Sequence, residues 1–168
     1  TIFSVANKLG INNLDTAKAY GNAEKRIGEF ANNRFKIISK FPNVTTNDEL
    51  EKALAESLEK LQTDSIYGYL AHNADSLIEN PFLWDVLKKF KNEGKVLKIG
   101  FSLYQIEQLD KLIALNCIPD VVQLPYSILD RKFEKQLTIL KTYDTEIHVR
   151  SVFLQGLYFV NPDKDKLL

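Results

Sequence analysis

Three consecutive segments indicate the fold: VLKIGFS at residues 96–102, QIEQLDKLIALN at 105–116 and DVVQLPY at 120–126. The first and last segments are short apolar runs, and the middle segment carries apolar residues at helical spacing. Together they predict a strand, a helix and a second strand. Two strands that are joined through a helix lie parallel, and the crossover between them is right-handed.

The same alternation continues on both sides of this unit. Further strands are predicted in NNLDT (12–16), FKIISK (35–40), SIYGYLAH (65–72) and EIHVRSVFL (146–154). Helices are predicted at 1–10, at 22–33, at 47–61 after a capping box of Thr46 and Glu49, at 81–94 with Pro81 first, and at 131–143. In the first helix, one face is predicted to carry Ile2, Val5, Ala6 and Leu9.

Strands that recur at steps of roughly 25 to 30 residues predict one α/β domain over residues 1–168. The pattern fits an open doubly wound sheet or a (β/α)₈ TIM barrel. No G-x-G-x-x-G turn follows a strand, which disfavours a Rossmann-type dinucleotide site. A barrel usually takes about 250 residues, so about six of its eight units fit in this chain.

The composition narrows the class of protein. Lys and Arg total 22 and Asp and Glu total 22, so no net charge favours nucleic acid or an anionic membrane. No apolar run approaches the ~20 residues of a membrane span. The single Cys117 cannot form an internal disulfide, which favours a reducing, cytoplasmic location. No Cys, His and carboxylate cluster has metal-binding spacing, so no metal is expected.

Four polar residues lie where predicted strands end. Asp15 ends the first strand, Tyr20 lies in the loop after it, Lys40 ends the second and His72 ends the third. Each residue alone has an ordinary structural explanation: for example, Asp15 can cap the next helix and Lys40 can be a surface charge. In a barrel, however, the catalytic residues lie at the carboxyl ends of the strands, which brings these four together.

The four residues make a proton donor for a carbonyl group. A free tyrosine has a pKa near 10, and a neighbouring Lys40 ammonium is expected to lower the pKa of Tyr20. Asp15 beside Lys40 keeps the ammonium charged, and His72 can hold the substrate oxygen. No side chain donates hydride, so a nicotinamide cofactor has to supply it.

Six segments, in order and at suitable spacing, resemble the signatures of the aldo-keto reductase family: GINNLDTAKAYGNAEKRIGEF, FKIISK, LAH, GKVLKIGFS, VVQLPYSILDR and FLQGL. The resemblance implies an NADPH-dependent (β/α)₈ barrel that reduces aldehydes and ketones. It makes Tyr20 the general acid, tuned by Lys40 and Asp15, with His72 orienting the carbonyl. It also places the first strand before Thr1 and the eighth strand after Leu168.

The resemblance assigns further residues to the cofactor. Ser102 and Gln123 match residues that bind the nicotinamide carboxamide, and Asp15 is expected to contact the cofactor as well. Leu103 stands where the family has Asn, so one amide contact is lost.

After its seventh strand, which corresponds to the sixth predicted strand of this chain, the family often has an aromatic residue that stacks on the nicotinamide. Arg150 stands at that position. A planar guanidinium can also stack on a ring, and its charge points to an anionic or sugar-derived carbonyl substrate. Phe153 and Gln155 belong to the loop that approaches the pyrophosphate.

Two other interpretations remain open from the sequence. The chain can be a non-catalytic or regulatory member of the same fold, or an inactive fragment, since such proteins can keep these four residues. It can also be a barrel enzyme of another class in which Lys40 forms a Schiff base. A lysine that is paired with Asp15 stays protonated, which disfavours that nucleophile.

Overall fold

The structure, a computed structural model, describes residues 2–31 and 34–160. The predicted helix ends at Thr1 and Asn32–Asn33, and residues 161–168, lie outside the described residues. The described part has six strands: β1 (Asn13–Asp15), β2 (Lys36–Phe41), β3 (Ile66–Ala71), β4 (Val96–Ser102), β5 (Val121–Pro125) and β6 (Glu146–Arg150).

Helices connect these strands. They are α1 (Ile2–Lys8), α2 (Ala23–Phe30), α3 (Asn47–Leu61), α4 (Asp75–Glu79), α5 (Leu83–Asn92), α6 (Ile106–Ala114) and α7 (Glu134–Thr142), and a 3₁₀ helix (Leu154–Phe159) follows β6. The predicted Thr46–Glu49 capping box is present, because the Thr46 side chain accepts from Glu49 N at 3.2 Å and Glu49 Oε2 accepts from Thr46 N at 3.3 Å.

Several boundaries differ from the prediction, among them the starts of α5 and α7 and the end of β6. Helix α5 begins at Leu83, so Pro81 lies in the turn before it rather than at its first position. Strand β6 ends at Arg150 instead of Leu154, because Ser151 and Leu154 have φ of 60° and 46°. Such left-handed backbone cannot continue an extended strand.

All six strands form one sheet in the order β1-β2-β3-β4-β5-β6, and every neighbouring pair is parallel. A doubly wound sheet reverses its strand order, whereas a barrel keeps sequential strands as neighbours. The sheet also curls, since Gln123 on β5 donates to Asp15 on β1 across three intervening strands. The barrel-type fold is therefore confirmed.

The main core lies between the sheet and its helices. Helix α3 contributes Leu50, Leu54 and Leu61, which are each at most 2% exposed. The apolar face of α1 packs only in part: Ala6 contacts the core, whereas Ile2 and Leu9 are 80% and 72% exposed. Phe3 packs on the core instead, with its ring 5.9 Å from that of Phe35. No helix among the described residues is long and apolar enough to cross a membrane.

Candidate active site

The parallel sheet brings the four predicted residues to one edge. Asp15 is the last residue of β1, Lys40 is one residue before the end of β2, and His72 directly follows β3. Tyr20 lies in the loop between β1 and α2. Because β1, β2 and β3 are neighbours and run in the same direction, their exits lie side by side.

Lys40 lies at the centre of this group. Its side chain is only 1% exposed, and its ammonium donates to Asp15 Oδ1, Asp15 Oδ2 and Thr16 O, each at 2.8 Å. A buried ammonium needs such partners because it has lost its water. Burial lowers the pKa of Lys40, and the hydrogen bond and charge of Asp15 oppose that change.

Tyr20 and His72 lie above the ion pair. Their ring centroids are 5.6 Å apart in an edge-to-face arrangement, and Lys40 Nζ lies 5.4 Å from the Tyr20 ring centroid. Burial lowers the pKa of His72, and the charge of Lys40 lowers it further. His72 is therefore neutral at pH 7 and has one ring nitrogen to donate and one to accept.

The expected lowering of the Tyr20 pKa is wrong. The pKa of Tyr20 is raised, first by burial and then by the charges of Asp15 and Tyr104, while Arg150 opposes the change. The physical reason is that burial disfavours the charged phenolate and that the Lys40 ammonium is paired with Asp15, whose negative charge disfavours the phenolate further. Tyr20 consequently keeps its proton at neutral pH.

Gln123 contacts the ion pair of Lys40 and Asp15 directly. Its Nε2 donates to Asp15 Oδ1 at 2.8 Å, and the residue is 7% exposed. Ser102, the last residue of β4, is 1% exposed and lies opposite Gln123 in the strand register. The two residues assigned to the nicotinamide amide are thus neighbours, and Gln123 also holds the Asp15 carboxylate.

Arg150 packs on a residue that the sequence analysis did not single out. Its guanidinium carbon lies 4.2 Å from the Tyr104 ring centroid, and its Nη2 donates to Leu103 O at 2.9 Å. The Leu103 side chain is fully buried, so the position of the expected Asn offers only its backbone here. Tyr104 could have been recognised from the sequence as a candidate site residue, because it is an aromatic residue two positions after the end of β4.

Two clefts open beside these residues and meet at Tyr104. The His72 cleft has a volume of about 570 Å³ and is lined by Pro42, Asn43, His72, Asn73, Asp75, Tyr104, Gln105 and Gln108. The Arg150 cleft has a volume of about 360 Å³ and is lined by Tyr104, Pro125, Asp130, Lys132, Arg150, Ser151, Leu154 and Gln155.

The predicted cofactor residues lie in two places, the Arg150 cleft and the ion pair of Lys40 and Asp15. Arg150 and Gln155 line the Arg150 cleft together, whereas Asp15 and Gln123 belong to the ion-pair group. Phe153 does not line either cleft: it is 61% exposed and packs against Phe159, with ring centroids 6.0 Å apart. Among the described residues, no group of His, Cys, Asp and Glu can hold a metal ion.

The sequence pattern of the aldo/keto reductase family matches residues 2–166, and the chain belongs to this family. Aldo-keto reductase YhdN of Bacillus subtilis (strain 168) is 30% identical over 144 residues, which cover 76% of this chain and 43% of that protein. Methylglyoxal reductase DkgA of Escherichia coli (strain K12) is 32% identical over 132 residues, covering 73% of this chain and 46% of that protein. The chain spans less than half the length of these two relatives.

Solved structures share the fold. Aldo-keto reductase AKR11C1 from Bacillus halodurans, in its holo form, superposes with a TM-score of 0.84 at 24% identity, covering 99% of this chain and 62% of that chain. An aldo/keto reductase from Klebsiella pneumoniae in complex with NADP and acetate gives a TM-score of 0.76 at 23% identity, covering 89% and 56%. The six strands therefore correspond to part of an aldo-keto reductase barrel.

Proposed function

We propose that this protein is an oxidoreductase that reduces an aldehyde or ketone, with a nicotinamide cofactor as the reductant and Tyr20 as the general acid. The observation that carries the proposal is the ion pair between the buried Lys40 and the partly exposed Asp15, which lies beneath the edge-to-face rings of Tyr20 and His72. Such a group, at the exits of three neighbouring strands, is suited to proton transfer.

Each residue has a distinct part in this chemistry. Tyr20 retains its proton because its pKa is raised, so it is available to protonate the carbonyl oxygen as charge develops there. His72 is neutral and can donate one hydrogen bond to the same oxygen. The Lys40 ammonium favours the negative charge that Tyr20 acquires after proton transfer, and Asp15 fixes the position of Lys40.

The Arg150 cleft fits the proposed cofactor. Arg150 Nε is buried and has no hydrogen-bond partner within the described ranges, and Lys132 lines the same cleft. These groups would hold an anionic cofactor together with Ser102 and Gln155, and the flat Arg150 guanidinium would face a ring. When bound, nicotinamide supplies the hydride that no side chain can give.

The relatives support a small carbonyl substrate and a phosphorylated nicotinamide. DkgA is named as a methylglyoxal reductase, and the Klebsiella structure contains NADP. A Schizosaccharomyces pombe relative that is 30% identical over 133 residues is named as an NAD/NADP-dependent indole-3-acetaldehyde reductase. We therefore propose NADPH as the reductant, with NADH as the alternative to compare in binding experiments.

The test of the mechanism is Tyr20→Phe, which removes the proposed acid and keeps the ring. The variant should lose about 10² to 10⁴-fold in kcat for methylglyoxal reduction, followed through NADPH absorbance. The dissociation constant of NADPH, from fluorescence titration, should stay within about twofold of the wild-type value. Equal turnover by the two proteins would exclude Tyr20 as the acid.

A non-catalytic or regulatory role is the second candidate, and one observation favours it. Leu103 and Arg150 both depart from the family pattern, and they bond to each other where the cofactor would be held. That role predicts NADPH binding without turnover of any carbonyl compound. A Schiff-base mechanism is less compatible, because all three Lys40 protons are donated to protein oxygens.

A further inference from the structure

A buried carboxylate lies on the side of β2 opposite to Lys40. Glu24, the second residue of α2, is 2% exposed, and its Oε1 accepts from Ser39 Oγ at 2.6 Å. This distance between the two oxygens is that of a hydrogen bond to a carboxylate. Ser39 is fully buried and directly precedes Lys40, so the two side chains point to opposite faces of β2. The bond therefore joins the strand that carries Lys40 to the helix that follows Tyr20.

The start of α2 comes directly after the loop that carries Tyr20. Ala23, the first residue of the helix, donates from its backbone N to Tyr20 O at 3.1 Å. Asn22, at the N-cap position, makes no capping hydrogen bond with its side chain to any residue that the structure describes. A helix start without such a cap depends on tertiary contacts for its position. Glu24 supplies a tertiary contact of this kind through Ser39.

The position of Tyr20 depends on the backbone of its loop. The ring centroid lies 5.4 Å from Lys40 Nζ, and the residue is 49% exposed, so little packing surrounds it. Before Tyr20, the loop is attached to β2 where Lys18 N donates to Lys40 O at 3.1 Å. After Tyr20, the bond between Glu24 and Ser39 attaches the chain to β2 again. The two attachments fix the Tyr20 loop relative to Lys40.

We propose that Glu24 is a positioning residue for the general acid: through Ser39 it fixes the start of α2 and thereby holds the Tyr20 phenol over Lys40. The inference rests on the proposed function for the role of Tyr20 as the acid, while the placement of the ring is a property of the fold alone. Glu24 lies behind β2, so it acts through the backbone and does not touch the reacting groups. Misplacing a catalytic group by about 1 Å can reduce the rate by about 10²-fold.

Variants that break or keep the bond test the proposal. Glu24→Ala and Ser39→Ala both remove it, and each should lower kcat for methylglyoxal by about 10 to 10²-fold, with the dissociation constant of NADPH within about twofold of the wild-type value. Glu24→Gln keeps an oxygen that accepts from Ser39 Oγ, so its kcat should stay within about threefold of the wild type. Ser39→Ala makes the smaller change in volume and decides the test if Glu24→Ala does not fold. Wild-type kcat in the variants that lack the bond overturns the proposal, and so does an equal loss in Glu24→Gln.

A second measurement does not depend on turnover. The pKa of Tyr20 is raised first by burial and then by the charge of Asp15, so it reports where the ring lies. In Glu24→Ala the ring should move away from both, and the pKa of Tyr20, from carbon-13 NMR titration of Cζ, should fall toward its ordinary value. Thr145→Val is the control for a lost buried hydrogen bond, because Thr145 Oγ1 donates to Pro119 O at 2.9 Å before β6. The pKa of Tyr20 should be the same in this variant as in the wild type.

The pKa measurement separates this inference from the proposed function. If no carbonyl compound is reduced, the proposed function fails, yet the pKa of Tyr20 still decides whether Glu24 holds the ring. An unchanged Tyr20 pKa in Glu24→Ala and Ser39→Ala overturns the inference. An equal change in Thr145→Val also overturns it, because the effect would then reflect a general loss of stability.

Discussion

Asp15 is held from two sides. Lys40 on β2 and Gln123 on β5 both donate to Asp15 Oδ1 at 2.8 Å, and Lys40 also reaches Oδ2. The carboxylate is therefore fixed by residues on strands that are not neighbours of each other. Because it carries the negative charge closest to Lys40, it also controls the protonation of the groups above it.

Asp15→Asn should change two pKa values in the same direction. The charge of Asp15 raises the pKa of Lys40 against the effect of burial, so the pKa of Lys40 should fall further without it. The pKa of Tyr20 is raised by burial and then by Asp15, so the pKa of Tyr20 should also fall. Carbon-13 NMR titration of the Lys40 Cε and the Tyr20 Cζ measures both values.

Glu56→Gln is the matched control for this prediction. It removes the carboxylate from another lysine–carboxylate pair, in which Lys18 Nζ lies 2.7 Å from Glu56 Oε2 at the surface. The pKa values of Lys40 and Tyr20 should be the same in this variant as in the wild type. A Lys40 pKa that does not move in Asp15→Asn would contradict the assignment of Asp15.

The positions of the four polar residues could be predicted because each lies at the end of a predicted strand or in the loop that follows one. The role of Gln123 toward Asp15 could not, since it depends on how far the sheet curls between β1 and β5. The same holds for Tyr104 and Asp75, whose positions are set by side-chain hydrogen bonds of Gln108. Sequence spacing contains no measure of such contacts.

At the scale of elements, the contact between helices α2 and α3 depends on a glycine. A Cβ at Gly28 would lie 2.3 Å from Lys60 O and 2.7 Å from the Leu61 carbonyl carbon, so it would overlap the backbone of α3. The neighbouring Ile27 of α2 is buried. The two helices can approach this closely only because Gly28 has no side chain.

Gly28→Ala should destabilise the protein although alanine is the better helix former. The helix preference favours Ala by about 1 kcal/mol, but separating α2 from α3 should cost about 2 to 4 kcal/mol. We expect a net loss of about 1 to 3 kcal/mol in the free energy of unfolding, measured by urea denaturation. Arg26→Ala, at an exposed position of α2, should change it by less than about 0.5 kcal/mol. A more stable Gly28→Ala variant would show that α2 can shift at no cost.

The existence of the six strands could be predicted more easily than their ends. Buried parallel strands such as β3 and β5 consist mostly of apolar residues, so their presence can be recognised from the sequence. Helix α4 has only five residues and was missed, because so short an element has no clear period. The sequence did not predict that Phe3 would pack on the core. That packing depends on a tertiary contact with Phe35, which the apolar pattern of α1 does not contain.

At the scale of the whole molecule, a second group of charged residues joins distant strands near their amino-terminal ends. Glu146 at the start of β6 accepts from Tyr67 on β3 at 2.7 Å, from Lys98 on β4, and contacts His148. Burial alone would raise the pKa of Glu146, but the hydrogen bonds from Lys98, Tyr67 and His148 outweigh it and lower that pKa to about 2. These bonds pass over β5, so they hold the curl of the sheet at the end opposite the candidate active site.

Glu146 should therefore stabilise the fold in a pH-dependent way. Its folded-state pKa of about 2 lies below the ordinary 4.5, so the stabilisation is present above pH 4.5 and is lost as the pH falls toward 2. Glu146→Gln should lower the free energy of unfolding by about 1 to 3 kcal/mol at pH 7 and by much less near pH 2. Urea denaturation at a series of pH values measures this difference.

The control is Glu134→Gln, which removes the carboxylate that pairs with Arg131 at the surface of α7. Both side chains of that pair are more than half exposed, so its loss should change stability by less than about 0.5 kcal/mol at any pH. If Glu146→Gln behaves like this control, the curl of the sheet is maintained by the strand ladders and the packed helices alone. If it behaves as expected, the side chains that cross the concave face hold β6, and with it Arg150, in position beside the candidate site.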